Sequence, residues 1–349
     1  MPVLLDTTQA GPANEGHLAN CVTVGLVNNM PDAALQATER QFTDLIRASA
    51  SNTVVRLLLF RIPQVPRGEA ARRDMAGRYR DVAELWDARL DGLIVTGTEP
   101  RAKDLKAEPY WDALARLIDW AREHTTSTIW SCLAAHAAVL QSDGIGRRAF
   151  ARKLSGVFES SPATAHPMLR GVALPLRVPH SRCNDLPERA LKAAGYRILT
   201  RSDAAGVDIF ARQERSFHLF FQGHPEYAAD ALLREYRRDI GRYLRGERAD
   251  YPAMPQGYFD ARSSASAEAF RKRAILDRRG ELLRSFPIRN LEAGLKNDWQ
   301  LSAIALYENW FGYLKGRKAQ GRLASTPMRR SWRDWPQLGA RLIADSPAT

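Results

Sequence analysis

In this 349-residue chain, one cysteine, one histidine and one glutamate are placed where they could together carry out acyl transfer. Cys132 lies in the segment TSTIWSCLAAHAAVL, and His224 and Glu226 lie in FFQGHPEY. A thiol, an imidazole and a carboxylate can serve as nucleophile, general base and orienting group. Together they predict chemistry through a covalent thioester. Taken singly, Cys132 is also compatible with a buried core thiol, and His-Pro-Glu with an ordinary surface turn.

Alternating strand and helix patterns must position these groups. Apolar runs predict strands at 21–29, 52–62 and 127–131, another within DGLIVTGTEP, and helices at 32–48, 108–124 and 133–140. This alternation is typical of a doubly wound, mostly parallel sheet. Active sites in such sheets lie at the carboxyl ends of the strands, which here carry Asn28-Asn29, the Thr96-Gly97-Thr98 loop and Cys132. One rim of the sheet is therefore expected to hold the site.

The C-terminal half has a more β-like pattern from about 150 to 225. The polar segment ARQERS, between two apolar runs, predicts a hairpin turn that brings His224 to the end of a strand. Helical patterns follow at 229–246 and 301–318. We divide the chain into a polar N-terminal arm (1–20), a single α/β domain (21–321) and a basic, flexible C-terminal tail (322–349).

The predicted turn at Cys132 favours a reactive thiol. The N-terminus of the following helix stabilises a thiolate, and a neighbouring imidazole, best supplied by His224, would complete its activation. Glu226 could orient the imidazole ring. Backbone N–H groups of Leu133 and of the region around Gly97 could hold the oxyanion, and one such donor is typically worth roughly 3 kcal/mol.

Composition and charge narrow the function classes. The net charge is +12, with 51 basic and 39 acidic residues, so the surface could attract nucleic acid or the phosphates of coenzyme A, or could simply carry solvated helix faces. The three cysteines match neither a disulfide framework nor a zinc site, and we predict no metal or cofactor. No run approaches the roughly 20 apolar residues of a membrane span, and the N-terminus is a poor signal peptide, so we expect a cytoplasmic protein.

A series of motifs resembles one enzyme family. In order they are VGLVNNMPDAALQATERQF, GLIVTGTEP with EPYW, TSTIWSCLAAHAAV, KLSGVFE, VPHSR, GHPEY and LLREYRRDI. They are similar to those of the homoserine O-acyltransferases of methionine biosynthesis, often called the homoserine O-succinyltransferase family. The resemblance runs from about Val22 to Leu314. It implies a class I glutamine amidotransferase-like fold, which is a flavodoxin-like, three-layer α/β architecture.

The resemblance also implies roles for individual residues. Cys132 would form the acyl-thioester, His224 would be the general base and Glu226 its partner. The family's substrate-contacting positions match three further residues: Lys153 in KLSG, Ser181 in PHSR and Arg238 in YRRD. Arg238 suits the carboxylate of homoserine, because a guanidinium binds carboxylates in bidentate fashion. Lys153 and Ser181 are also compatible with ordinary loop positions. The implied partners are acyl-CoA and L-homoserine as substrates and a second copy in a homodimer, with nucleic acid not expected.

Two positions depart from the family pattern. Arg101 stands where the family carries Gly in succinyl-users and Glu in acetyl-users. An arginine could pair with the free carboxylate of a succinyl group, which favours succinyl-CoA, but it could also shrink the pocket or contact CoA phosphates. His136 replaces a usual Gln, and it is either a second basic group near Cys132 or a packed, hydrogen-bonded histidine.

Several alternatives stay open at this point. The donor could be acetyl-CoA, and because the C-terminal region follows the family only loosely, the acceptor could be serine. A hydrolase or amidotransferase acting on glutamine would use the same three residues, but SCLAA lacks the flanking glycines of those enzymes. A basic binding module without activity is the remaining class, and the intact Cys, His and Glu argue against it.

Overall fold

The structure is a computed structural model that describes residues 3–6 and 21–323. Its strands are β1 (Val3–Asp6), β2 (Val22–Val27), β3 (Val55–Arg61), β4 (Arg80–Asp81), β5 (Gly92–Val95), β6 (Ser127–Ser131), β7 (Arg148–Pro162), β8 (Leu176–Asp185), β9 (Arg197–Ile198), β10 (Thr200–Ser202), β11 (Gly206–Val207), β12 (Ile209–Gln213) and β13 (Phe217–Phe221). Its α-helices are α1 (Asp32–Ser49), α2 (Glu69–Met75), α3 (Trp111–His124), α4 (Leu133–Asp143), α5 (Glu188–Ala193), α6 (Ala231–Leu244), α7 (Ala261–Leu276), α8 (Ile288–Glu292) and α9 (Gln300–Leu323).

The central sheet is mostly parallel. Its strand order within the described residues is β1-β3-β2-β5-β6-β13-β12-β9, with β4 paired to β3. Neighbouring strands from β1 to β13 in this order are parallel. Of the strands that the structure describes in this sheet, only β12 runs in the opposite direction, antiparallel to both β13 and β9. The five strands β3-β2-β5-β6-β13 have the 2-1-3-4-5 order of flavodoxin-like folds. The predicted doubly wound, mostly parallel sheet is therefore confirmed.

Both faces of this sheet are buried, which explains the apolar runs of the sequence. Alternate residues of a strand point to opposite faces, so Leu57 and Leu59 pack with α1 and α9. Leu58 and Phe60 pack on the other side, in the cluster that contains α3 and α4. Two helical layers thus enclose the sheet.

A second, four-stranded antiparallel sheet lies beside the first, in the order β11-β10-β7-β8. It accounts for the β-like pattern from about 150, whereas the predicted hairpin is formed by β12 and β13 in the central sheet. A third apolar cluster packs α6 against α7 and α8. The sequence analysis predicted neither the separate sheet nor the helices α7 and α8.

The ends of the chain are described only in part. Residues 3–6 of the predicted arm form β1, which extends the edge of the central sheet beside β3. The rest of the arm (1–2 and 7–20) and most of the predicted tail (324–349) lie outside the described residues. Within the described ranges, no helix has the length and apolar character needed to cross a bilayer.

Candidate active site

Cys132 lies on a strained turn between β6 and α4. Its φ of 52° and ψ of −113° place an L-residue with a β-carbon in a disfavoured region, which is typical of functional sites and costs on the order of 1–3 kcal/mol. The backbone N–H of Cys132 donates to Phe221 O at 2.7 Å, which anchors the turn to β13. The side chain is partly exposed at the N-terminus of α4.

His224 and Glu226 form a buried pair after β13. His224 Nδ1 lies 2.8 Å from Glu226 Oε1, and the His224 N–H donates to Pro179 O of β8 at 2.8 Å. The Tyr227 ring stacks on the imidazole with 4.2 Å between ring centroids. These contacts fix the ring orientation. Because Nδ1 faces a carboxylate, Nε2 is the nitrogen free to serve Cys132.

The electrostatics of His224 favour an imidazolium. Burial alone would lower the pKa of His224, but negative charge on Cys132 and on Glu226, together with hydrogen bonds to both, raises that pKa well above its usual value. The charge of Cys132 is the largest of the influences that raise this pKa, so the two side chains lie close together. A positively charged imidazole is the partner that a thiolate nucleophile needs.

Gly97 and Leu133 are adjacent in the structure. A β-carbon placed on Gly97 would lie 2.9 Å from Leu133 N and 3.3 Å from Ser131 O, so this close approach requires glycine. Leu133 is the first residue of α4, where backbone N–H groups have no acceptor within the helix. The backbone of both predicted oxyanion residues thus lies next to Cys132.

The predicted substrate residues Lys153 and Ser181 meet on two acidic residues of α6. Lys153 Nζ lies 3.1 Å from Glu235 Oε2 and 3.0 Å from Asp239 Oδ2, and the Ser181 hydroxyl donates to Glu235. Tyr227, which stacks on His224, donates its hydroxyl to Glu235 Oε1 at 2.6 Å. Burial would raise the pKa of Glu235, but these partners, led by Lys153, lower it to about 2.

Arg238 lies on the same helix. Its Nε and Nη2 are each 2.9 Å from Asp239 Oδ1, and about a third of its side chain is exposed, 36%. The sequence analysis missed both Glu235 and Asp239. Their spacing offered one signal, since like charges four residues apart on a helix repel each other and require a nearby cation.

A second ion pair missed by the sequence analysis lies two residues beyond Gly97. Arg242 donates to both oxygens of Glu99, with distances of 2.6 and 3.0 Å. The hydrogen bond from Arg242 is the largest influence that lowers the pKa of Glu99. The pair joins α6, the helix that carries Arg238, to the residue that follows the Thr96-Gly97-Thr98 loop.

The side chain of Arg101 is exposed. Its backbone N–H donates to Glu108 Oε1 at 2.5 Å, and the next N–H, from Ala102, donates to the same oxygen at 2.6 Å. The structure thus fixes the backbone of this loop through Glu108. The pairing of the Arg101 guanidinium with a succinyl carboxylate stays a prediction.

His136 is a packed, hydrogen-bonded histidine. It is buried, and its Nε2 lies 3.0 Å from Gln222 Oε1, which also accepts from Arg182. Burial, followed by the charge of Arg182, lowers the pKa of His136 to about 3, so the ring is neutral. Since Gln222 Oε1 is an acceptor, Nε2 carries the proton. His136 therefore does not supply a second base.

Two further observations concern the remaining cysteines and possible metal ligands. Cys21 is buried and Cys183 is exposed. In the part of the chain that the structure describes, no three His, Cys, Asp or Glu side chains are grouped as metal ligands.

A thiol on a strained turn, a charge-paired histidine and two adjacent backbone N–H groups suit nucleophilic acyl transfer. Comparison with known proteins identifies the family. The model of the homoserine O-succinyltransferase family matches residues 8–320. The chain belongs to this family, which confirms the resemblance seen in the motifs.

Two relatives of that name support the same assignment. The chain is 51% identical to a homoserine O-succinyltransferase of Rhodopseudomonas palustris over 84% of this chain and 88% of the relative. It is 48% identical to one of Bradyrhizobium japonicum over 84% of this chain and 90% of the relative. Among solved structures, a glutamine amidotransferase of Methylobacillus flagellatus is 17% identical, with a TM-score of 0.46 over 84% of this chain and 94% of that chain.

Proposed function

We propose that this protein is a homoserine O-succinyltransferase of methionine biosynthesis, which moves the acyl group of succinyl-CoA onto the hydroxyl of L-homoserine. The observation that carries the proposal is the strained turn that sets Cys132 beside the buried His224–Glu226 pair. Family membership and two relatives of that name over more than four-fifths of both chains support it.

In the first half-reaction, the Cys132 thiolate attacks the thioester carbonyl of succinyl-CoA. The carbonyl oxygen becomes an oxyanion, which the N–H groups of Gly97 and Leu133 stabilise. The carbon–sulfur bond to CoA then breaks, and the CoA sulfur leaves with a proton from the His224 imidazolium. The acyl group rests on Cys132 as a new thioester.

In the second half-reaction, homoserine enters and the neutral His224 removes its hydroxyl proton. The oxygen attacks the acyl-enzyme, and collapse of the tetrahedral intermediate forms the ester and releases the Cys132 thiolate. His224 keeps the proton, which restores the initial pair. Two oriented steps thus replace a single encounter of two substrates.

The charges around α6 suit the amino-acid acceptor. Arg238 offers a partly exposed guanidinium for the homoserine carboxylate, and Asp239 orients it from one side. On the same helix, Lys153 and Ser181 hold Glu235 by hydrogen bonds. Glu235 in turn accepts the hydroxyl of Tyr227, whose ring stacks on His224. Recognition of the acceptor and orientation of the base therefore share one network.

The test measures CoA release from succinyl-CoA and from acetyl-CoA, with homoserine or serine as acceptor. The intact mass of the enzyme is followed in parallel. We expect a succinyl adduct that homoserine discharges and that Cys132→Ala cannot form. An acetyl adduct alone would mean that the donor is acetyl-CoA. Discharge of the adduct by serine alone would mean that the acceptor is serine. Glutamine hydrolysis without CoA release would assign the chain to the amidotransferase class instead.

We further propose a homodimer that acts in the cytoplasm. Acyl-CoA thioesters are intracellular substrates, which supports the location. Light scattering of the purified protein tests the oligomeric state, and a mass corresponding to one chain would contradict the dimer.

A further inference from the structure

Arg147 lies between α4 and β7 and reaches the loop that contains Arg101. Its Nη2 donates to Lys103 O at 2.8 Å and to Ala102 O at 3.3 Å. These are the two carbonyls that directly follow Arg101. The same short segment is held from the other side by Glu108, which accepts the backbone N–H groups of Arg101 and Ala102. The guanidinium of Arg147 is thus fixed in place against the loop.

The other terminal nitrogen of Arg147 has no acceptor. Nη1 is buried and makes no hydrogen bond to any described residue. An unpaired buried donor on a charged group costs more than an ordinary lost hydrogen bond, so such a nitrogen favours a ligand with an acceptor. An anionic acceptor fits best, because a guanidinium prefers carboxylate or phosphate oxygens.

Arg147 also differs from three other cations near the site in the partners that it has. Lys153, Arg238 and Arg242 each contact a carboxylate of the protein at 3.1 Å or less. The hydrogen bonds of Arg147 go to neutral backbone carbonyls. Burial lowers the pKa of Arg147, and the nearby Tyr110 and Glu108 only partly oppose this, yet an arginine stays charged. Glu108 and Asp104 lie within electrostatic range of Arg147, but neither of its hydrogen bonds is to a carboxylate.

The position of Arg147 relative to Cys132 follows from the chain between them. The loop begins at Gly97, which touches Leu133, the neighbour of Cys132, and reaches Arg147 six residues later at Lys103. Cys183 lies within electrostatic range of both Cys132 and Arg147. Arg147 thus contacts the far end of the segment whose first residue, Gly97, lies against the neighbour of Cys132.

We propose that Arg147 binds the terminal carboxylate of the acyl donor through its free Nη1 and thereby selects a dicarboxylic acyl group over acetyl. The inference rests on the proposed function and deepens it. The exposed Arg101 side chain is then not the selecting group. Arg101 instead contributes its backbone, which Glu108 and Arg147 hold in place.

The experiment compares Arg147→Gln with the wild type in kcat/KM for succinyl-CoA and for acetyl-CoA at saturating homoserine. We expect a loss of about 10- to 150-fold with succinyl-CoA, since a hydrogen bond to a charged group is removed, and a change within about threefold with acetyl-CoA. Arg148→Gln is the matched control, because the Arg148 side chain is 69% exposed and its partner Asp185 has no place in the proposed reaction. It should leave both values unchanged.

Two results would overturn the proposal. An equal loss with both donors means that Arg147 only supports the loop, and no loss means that it does not contact the acyl group. If Arg147→Gln does not fold, Arg147→Lys serves instead, because it keeps the charge but not the planar guanidinium. The ratio of its kcat/KM for succinyl-CoA to that for acetyl-CoA must then be lower than in the wild type. Wild-type enzyme that turns over no succinyl-CoA would refute the proposed function itself, whereas unchanged selectivity in an active variant refutes the role of Arg147 alone.

Discussion

Replacing Glu226 with Gln should slow acylation of Cys132 and move its alkaline limit to lower pH. The side chains of His224 and Glu226 are 8% and 4% exposed, and His224 Nδ1 lies 2.8 Å from Glu226 Oε1. A hydrogen bond between charged groups in such a place is worth about 1.5–3 kcal/mol, which corresponds to about 10- to 150-fold in rate. Gln keeps the shape of the side chain but removes the charge.

The direction of the pH effect follows from the charges. Glu226 is one of the two anions that raise the pKa of His224, so its removal lowers that pKa. The imidazolium that protonates the leaving CoA is then lost at a lower pH. The same free energy corresponds to a shift of about one to two pH units in the alkaline limb of acylation.

The assay is single-turnover release of CoA from succinyl-CoA without acceptor, measured across pH. Glu247→Gln is the control, since Glu247 pairs with Arg245 on the surface. Thermal melting verifies that the variants fold. A Glu226→Gln enzyme that acylates within threefold of the wild type, with its alkaline limb unmoved, would refute the role assigned to the pair.

Three other substitutions test separate parts of the site. Gly97→Ala should lower kcat about 100-fold, because its β-carbon would lie 2.9 Å from Leu133 N and displace an oxyanion donor; kcat near the wild-type value would contradict this. In the folded protein the pKa of Glu235 is about 2, below its ordinary 4.5. The ionised carboxylate therefore stabilises the folded state at pH values above 4.5, and this stabilisation is lost as the pH falls toward 2. Glu235→Gln should abolish an acid dependence on the order of 3 kcal/mol in urea unfolding between about pH 5 and pH 2, and an acid dependence equal to that of the wild type would rule this out. Arg242→Gln should cost less than about 1 kcal/mol in the same assay, and less at high salt, because the Arg242–Glu99 pair is more than a third exposed; a larger, salt-independent loss would point to a structural role.

The sequence predicted the groups whose positions depend on local structure. Cys132 follows a buried strand and precedes a helix rich in alanine, so its place at a strand end could be read directly. His224 follows a hairpin that the ARQERS turn made visible. In both cases the strand-end position is encoded within a dozen residues of the side chain.

The groups that were missed depend on packing between distant segments. Lys153 and Glu235 are 82 residues apart and meet only because the second sheet packs beside α6. Neither residue type nor periodicity specifies that approach. The same holds for Arg147, whose importance lies in one buried nitrogen without an acceptor. Local patterns do not record which hydrogen bonds are left unmade.

The charge state of His224 links the two halves of the proposed reaction. In the free enzyme, Cys132 and Glu226 together overcome the effect of burial and favour the imidazolium, which can protonate the departing CoA sulfur. Acylation of Cys132 removes one of those two negative charges. Burial then acts against Glu226 alone, so the pKa of His224 falls and the neutral base becomes accessible when homoserine arrives. The buried position of His224 is therefore useful in itself, since in a solvated site the loss of the thiolate would change its pKa much less.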